Sequence, residues 1–257
     1  MAQFNEWCDA ADSKVGAHQL RILSSDPLRL NVGVVGTAAA VPTHYAAPER
    51  AAGILRRLGK TEAAKFVEGK LPTSKSIRSG DLGEILATEW IATQGGYQVP
   101  IKRLRWKDHR NMAMRGDDVI GIQQNPQTGG LLFLKTEAKS RVALSGAVVT
   151  EARAGLDKDS GLPSAHALSF IADRLAELGD DALSDAIIDA QLKTGIQPQN
   201  VRHLLFTFSG NNPEGHLAGS LQTYAGGIAQ WSVGLRVEGH AAFVAAVYDR
   251  VIANANG

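Results

Sequence analysis

Apolar and polar positions between residues 119 and 141 form the clearest pattern in the chain. Two apolar runs, V-I-G-I and L-L-F-L, are separated by Asn125-Pro126 and Gly129-Gly130, which are residues typical of turns. Two acidic residues precede the first run, and the second run ends in Glu137-Ala138-Lys139. The pattern predicts a β-hairpin with a carboxylate early on its first strand and a carboxylate and a lysine late on its second.

The same kind of pattern predicts further elements along the chain, although residues 1–45 are difficult to assign. Helices are predicted over 48–69 with an interruption near Gly59, over 81–93, over 143–154, over 165–193 as one or two helices, and over 240–253. Strands are predicted over 28–35, 97–99, 102–106, 201–208 and 231–237. The order of these elements predicts an α/β fold with a mixed sheet flanked by helices.

Composition indicates an ordinary globular protein. Hydrophobic residues make up 44% of the 257 residues and charged residues 21%, and no apolar run reaches the length of a membrane span. Cys8 is the single cysteine, which excludes an intrachain disulfide and a zinc cluster built on thiolates. The first residues lack a basic start and an apolar segment, so we expect no signal peptide and a reducing, cytoplasmic location.

Basic residues are concentrated just before the predicted hairpin. Although the net charge is only +1, residues 101–115 carry six basic side chains against the single acid Asp108. A polyanion would be attracted to this segment, and a solvated loop face is the alternative interpretation. The predicted contacts with the phosphates of such a polyanion are Lys102, Arg103, Arg105, Lys107 and Arg115.

The acids and the lysine of the hairpin are candidate catalytic residues. Side chains alternate along a strand, so Glu137 and Lys139 share a face, and antiparallel pairing can bring that face beside Asp117 or Asp118. Asp118 is preferred as a ligand because it adjoins the strand, which leaves Asp117 as a turn or supporting residue. Such carboxylates can hold a hard divalent cation. The alternatives are a turn before the first strand and a second strand that has emerged into solvent.

Glu84 is the third candidate carboxylate. Its predicted helix is apolar almost all round, so a helix packed on the sheet would deliver Glu84 to the hairpin site. The competing interpretation is a capping box in which Asp81 caps the helix and Glu84 is its partner. Glu89 is a weaker alternative on the same helix. The chain contains no phosphate-loop motif, so no nucleotide-driven motor is expected in it.

Glu84, Asp118 and Glu137-Ala138-Lys139, in this order, resemble the PD-(D/E)XK nuclease superfamily over residues 78–155. The proline of that name is absent, because Arg115-Gly116 precedes the acids. Four longer sequence segments around these residues resemble the HamA family, the nuclease subunits of the Hachiman anti-phage system. The matching segments are G-D-L-G-E-I-L at 80–86, K-R-L-R-W-K-D at 102–108, R-G-D-D at 115–118 and T-E-A-K at 136–139.

The resemblance implies a nuclease-like core over 76–155, an N-terminal elaboration over 1–75, and helices and strands over 156–257 that complete the same globule. It implies Mg²⁺, replaceable by Mn²⁺, held by Asp118, Glu137 and Glu84, with Lys139 orienting the attacking water. It also implies DNA as substrate and a superfamily 2 helicase, HamB-like, as the partner in a heterodimer that restrains cleavage until infection. No membrane contact is implied.

Two other functions remain open at this point. A stand-alone site-specific restriction endonuclease has the same core and would cut DNA into discrete fragments without a partner. A non-catalytic subunit would use the same charges only to bind DNA or a partner, and it would bind no Mg²⁺ or Mn²⁺ through Glu137.

Overall fold

A six-stranded mixed sheet forms the centre of the molecule in the computed structural model, which describes residues 3–114 and 116–256. Its strands are β1 (Cys8–Val15), β2 (His18–Ser25), β3 (Val119–Gln124), β4 (Leu131–Arg141), β5 (Val201–Ser209) and β6 (Ala229–Arg236). They lie in the order β1-β2-β6-β5-β4-β3. The inner pairings are parallel and the two outer pairings are antiparallel. The predicted α/β fold with a mixed sheet is confirmed.

Helices cover both faces of the sheet. In the described part of the chain they are α1 (Leu30–Tyr45), α2 (Pro48–Leu58), α3 (Lys60–Lys70), α4 (Lys75–Trp90), α5 (Gly146–Asp157), α6 (Ala165–Glu177), α7 (Asp181–Asp189), α8 (Glu214–Thr223) and α9 (His240–Asn256). Helices α1, α4 and α9 share one apolar core with β5 and β6. Helices α5 and α8 share a second core with β2 and β5, and α6 and α7 share a third with β3. No described helix has both the length and the apolar character needed to cross a bilayer.

The predicted hairpin is confirmed as β3 and β4. Within its turn the Asn125 amide donates to the Gly130 carbonyl over 2.7 Å, and the Gly129 amide donates to the Asn125 carbonyl over 2.8 Å. Gly129 has a φ of 72°, a conformation that glycine adopts without steric cost. The strands predicted over 201–208 and 231–237 and the closing helix over 240–253 are confirmed as β5, β6 and α9.

Residues 28–35 do not form the predicted strand, because they lie in the turn before α1 and in its first half. Buried positions of α1 include Gly33, Thr37, Val41 and Tyr45, which are four residues apart and so lie on one face of a helix. The strand prediction relied instead on the short apolar–polar alternation over 28–35. Gly33 lies directly on the Trp7 ring, where an added Cβ would come within 2.5 Å of ring carbons. A close helix contact, rather than a strand, explains that glycine.

The segment before the hairpin also differs from the prediction. Only Gln98 pairs with a strand residue, Ile122, as an isolated antiparallel bridge, because Pro100 has no N–H with which to extend the ladder. Residues 103–106 form a 3₁₀ turn instead of a strand. The strand predictions over 97–99 and 102–106 were therefore wrong.

Helix α4 begins at Lys75, six residues earlier than predicted. The Asn111 side chain accepts hydrogen bonds from the Thr73 and Ser74 amides, which fixes the chain where the helix begins. Asp81 consequently lies in the helix interior, and the competing interpretation, a capping box of Asp81 and Glu84, is wrong.

Candidate active site

The site lies where β3 ends and β4 continues alone at the edge of the sheet. The pairing of β3 with β4 begins at Val119 opposite Thr136, so the amide of Ala138 extends beyond the first strand. The Asp118 carboxylate, just before β3, accepts a hydrogen bond from this amide over 2.9 Å. The fork between the two strands therefore places Asp118 beside the Glu137-Ala138-Lys139 segment.

Helix α4 brings Glu84 to the same corner. Gly83 packs against β4 so closely that an added Cβ would lie 3.1 Å from the Ser140 Cβ. Arg103 then joins the helix to the strand fork. Its Nε lies 3.1 Å from Glu84 Oε2, and its Nη2 lies 3.1 Å from Asp118 Oδ1. The guanidinium therefore bridges two of the three predicted carboxylates.

Helix α5 covers the part of the site that β4 supplies. Lys139 Nζ lies 2.9 Å from Glu137 Oε1 and 3.1 Å from Glu151 Oε1. Gly155 faces the Glu137 carboxylate, and a Cβ added there would lie 2.9 to 3.1 Å from its three terminal atoms. Glu137 therefore occupies space that only a glycine at position 155 leaves open.

Burial and mutual repulsion perturb all three carboxyls. Burial first, and then the charge of Glu84, raise the pKa of Asp118 to about 7. Burial also raises the pKa of Glu84 against the opposing effect of Arg103, and burial with the charge of Asp118 raises the pKa of Glu137. For Lys139, burial alone would lower the pKa, but its hydrogen bond and charge interaction with Glu137 raise it. The corner contains more negative charge than Arg103 and Lys139 compensate.

A divalent oxygen-binding cation fits this donor set. The carboxylates are hard oxygen donors, and Mg²⁺ is commonly held by one or two carboxylates together with water. Over residues 3–114 and 116–256, Glu84 Oε1 and Glu137 Oε2 accept no hydrogen bond, so both atoms remain available as donors to a cation. In the same residues, no three His, Cys, Asp or Glu side chains already converge as a metal cluster. The bridging position of Arg103 accounts for this, because its guanidinium occupies the space between Glu84 and Asp118.

Asp117 has a separate role from its neighbour. Its Oδ2 accepts hydrogen bonds from the Ser164 amide over 2.8 Å and from the Ser164 hydroxyl over 2.9 Å. Its Oδ1 lies 3.6 Å from Nζ of Lys135, a fully buried lysine that also donates to the carbonyls of Lys158 and Leu162. Asp117 therefore ties the start of β3 to the chain between α5 and α6, while Asp118 faces Glu84 and Arg103.

Most of the predicted DNA-contacting residues have partners inside the protein. Lys107 Nζ lies 2.7 Å from Asp81 Oδ2 and is almost fully buried. Lys102 donates to Thr43 and Glu89, and Arg105 donates to the Thr43 carbonyl. Arg103 bridges the two acids described above, and Arg115 lies outside the described residues. The segment is thus anchored to α1 and α4, and its contact with DNA stays a prediction.

Glu89, the weaker alternative to Glu84, belongs to this anchoring network. Its Oε1 lies 2.8 Å from His44 Nε2 and 3.2 Å from Lys102 Nζ. The hydrogen bond from His44 and the charge of Lys102 outweigh burial and lower the pKa of Glu89 to about 2. Glu89 is therefore a buried, ionised structural residue, and Glu84 is the carboxylate of α4 that faces the strand fork.

Three residues that the sequence reasoning did not assign to this site also contribute to it. Gly83 allows the close approach of α4, Gly155 leaves room for Glu137, and Glu151 pairs with Lys139. The two glycines could have been recognised from the sequence, because glycine within a helix is unfavourable unless close packing requires it. Nothing in the sequence distinguished Glu151 from other exposed acids.

Two comparisons relate the chain to known proteins. A family model described as HamA matches residues 1–251. The curated relative "Hachiman protein HamA" from Bacillus cereus is 28% identical over 199 residues, which cover 77% of this chain and 70% of the relative.

Proposed function

The chain belongs to the HamA family, and we propose that it is the metal-dependent DNA endonuclease of a Hachiman defence complex, acting with a helicase subunit. Membership of this family gives the chain a role in anti-phage defence. The observation that carries the catalytic part of the proposal is the contact chain at the strand fork, in which Arg103 joins Glu84 to Asp118 and Asp118 accepts from the Ala138 amide between Glu137 and Lys139. Glu84, Asp118 and Glu137 are distant in sequence, and a purely structural role would not require so many partly buried charges in one corner.

Asp118 and Glu137 would hold Mg²⁺, with Glu84 contributing directly or through water. When bound, Mg²⁺ would lower the pKa of a coordinated water and neutralise charge on the scissile phosphate. The Ala138 amide orients the Asp118 carboxylate, and Gly155 gives the Glu137 carboxylate its place. Lys139 Nζ, held between Glu137 and Glu151, would orient the attacking water and stabilise the negative charge that develops on the phosphate.

The basic segment before the hairpin would bind the DNA substrate. DNA phosphates would approach the segment over 102–110, whose exposed end carries Arg110. Contacts of this kind are insensitive to base sequence and weaken as the salt concentration rises. This supports a nuclease whose targets are selected by its partner rather than by base readout, and the helicase subunit would supply that control.

The test is plasmid cleavage by the full chain alone and after co-expression with a helicase subunit of a Hachiman system, each with and without ATP and Mg²⁺. We expect Mg²⁺-dependent cleavage that requires the helicase subunit. Glu137→Gln and Lys139→Ala should each reduce the rate by at least about 100-fold, in line with losses on removing one stabilising group. Glu177→Gln is the control, because this exposed acid of α6 pairs with Arg174 and contacts no residue of the proposed site, and it should cleave at the wild-type rate.

Other outcomes would assign a different function. Discrete fragments from the chain alone would indicate a site-specific restriction endonuclease. Undiminished cleavage by both Glu137→Gln and Lys139→Ala would refute the proposed site. DNA or helicase binding without any metal-dependent cleavage would indicate a non-catalytic subunit.

A further inference from the structure

A cleft of about 600 Å³ lies where α5 and α8 meet, away from the Glu137 corner. Along α5 it is lined by Gly146, Thr150, Arg153 and Asp157, whose spacing of three and four residues forms one stripe of a helix. Glycines at positions 215 and 219 of α8 leave the opposite wall open, since a Cβ added at either would meet nothing within 4 Å. A cleft of this size is within the usual range for small-molecule sites.

Arg153 is held rigidly in this cleft. Its Nη1 donates to Gln230 Oε1, and its guanidinium carbon lies 5.1 Å from the centre of the Tyr224 ring. Gln230 is fixed in turn, because its Nε2 lies 2.9 Å from the Ile228 carbonyl and 3.0 Å from His203 Nδ1. One side of the guanidinium is therefore positioned by a buried polar chain and an aromatic face.

The other side of the guanidinium has no partner. Arg153 Nε and Nη2 are both buried, and neither donates a hydrogen bond to any atom of residues 3–114 or 116–256. Leaving a buried donor unsatisfied is unfavourable, and more so for a charged group. The Nε–H and one Nη2–H point in parallel from one edge of a guanidinium, which matches two oxygens of a carboxylate or phosphate.

We propose that this cleft binds a small phosphorylated molecule of about mononucleotide size, with its phosphate on the Nε and Nη2 edge of Arg153. Hydroxyl groups of Thr150 and Ser220 also line the cleft and can donate to the remaining phosphate oxygens. Asp157 offers a carboxylate to a hydroxyl or amino group elsewhere on the ligand. This combination favours a phosphate attached to a polar body over a simple dicarboxylate.

The proposal does not depend on the nuclease activity. The cleft stripe of α5 carries Arg153, whereas Glu151 and Gly155 of the same helix contact Lys139 and Glu137. No residue of the proposed metal site lines the cleft. Binding to the cleft can therefore be measured without DNA, without metal and without a partner subunit.

The test is isothermal titration calorimetry of the full chain in metal-free, phosphate-free buffer. The probes are inorganic phosphate, the four 5′-monophosphates AMP, GMP, CMP and UMP, the corresponding nucleosides, and citrate. We expect saturable binding of at least one monophosphate, at least tenfold tighter than inorganic phosphate or its own nucleoside. Arg153→Gln should weaken this binding at least tenfold. Arg174→Gln is the matched control, because Arg174 also has a buried Nε without a partner in the described chain but does not line the cleft.

A second variant keeps the test decisive if Arg153→Gln does not fold. Gly219→Leu would place a side chain into open space within the cleft, and a helical glycine tolerates this replacement. It should abolish monophosphate binding while the thermal midpoint of unfolding stays unchanged or rises. Equal binding by the wild-type chain and Gly219→Leu, tighter binding of citrate or a nucleoside than of any monophosphate, or no saturable binding by any probe would overturn the proposal.

Discussion

Arg103 compensates much of the negative charge in the candidate active site. Its side chain is mostly buried and lies between Glu84 and Asp118, and removing one partner from such a buried pair typically costs about 3–5 kcal/mol. The sequence suggested a phosphate contact for Arg103. In the structure, its Nε and Nη2 contact the Glu84 and Asp118 carboxylates instead. A cation bound by these two carboxylates would therefore compete with Arg103 for them.

Gly155 provides a direct test of the position of Glu137. In Gly155→Ala the new methyl group would lie about 3 Å from the carboxylate atoms, and the flexible Glu137 side chain would move away rather than the helix. Helix propensity favours alanine by up to about 1 kcal/mol, so stability should be unchanged or slightly higher. We expect a plasmid cleavage rate at least tenfold lower, measured with the helicase subunit present.

Gly53→Ala is the control for this variant, because Gly53 lies in α2 and its added Cβ would meet nothing within 4 Å. It should cleave at the wild-type rate. If Gly155→Ala cleaved as fast as Gly53→Ala, the position of the Glu137 carboxylate would not matter for the reaction, and its role as a metal ligand would be wrong.

At the scale of elements, α4, β4 and α9 are joined by a short polar chain. Ser79 Oγ lies 2.8 Å from Ser140 Oγ, which lies 2.9 Å from His240 Nε2 at the start of α9. Burial lowers the pKa of His240 to about 4. His240 is therefore neutral near pH 7 and holds the far end of β4 against two helices.

Acidification should weaken this junction. Unfolding exposes His240 and returns its pKa to about 6.5, so the stability due to the neutral ring is complete above pH 6.5 and is lost as the pH falls toward 4. Between pH 7 and pH 5 this loss amounts to roughly 2 kcal/mol. In His240→Gln the loss of unfolding free energy over this interval should be smaller by about that amount, as measured by urea denaturation.

The variant His166→Gln, at an exposed position, provides the comparison for the effect of the replacement itself. Equal slopes for His240→Gln and the wild-type chain would mean that His240 does not contribute to acid sensitivity.

Strong local patterns allowed some elements to be predicted. The β3–β4 hairpin combined two apolar runs with turn residues, and α2 and α3 meet at Gly59, whose φ of 87° explains the predicted interruption. Strand β1 was missed because seven of its eight residues are at least partly exposed, which left no buried alternation to detect. It is held by pairing with β2 and by ion pairs such as Arg21 with Asp12. Edge strands of this kind are specified by tertiary pairing rather than by their own pattern.

At the scale of the whole molecule, the sheet determines which distant residues meet. The sequence singled out Glu84, Asp118, Glu137 and Lys139, and the fold brings them to one corner. The bridge that Arg103 forms between two of them could not be predicted from the sequence, because it depends on a 3₁₀ turn where a strand was expected. The Arg153 cleft could not be predicted either, since it requires α5 and α8 to lie beside each other, with Arg153 in contact with Gln230 near the start of β6.

The central claim is that the Asp118, Glu137 and Glu84 carboxylates form a divalent metal site. The most direct measurement is a titration of the full chain with Mn²⁺, followed by electron paramagnetic resonance, for the wild-type chain, Asp118→Asn, Glu137→Gln and the surface control Glu177→Gln. We predict saturable binding by the wild-type chain and Glu177→Gln, and at least tenfold weaker binding by Asp118→Asn and Glu137→Gln. Identical titration curves for all four proteins would contradict the account.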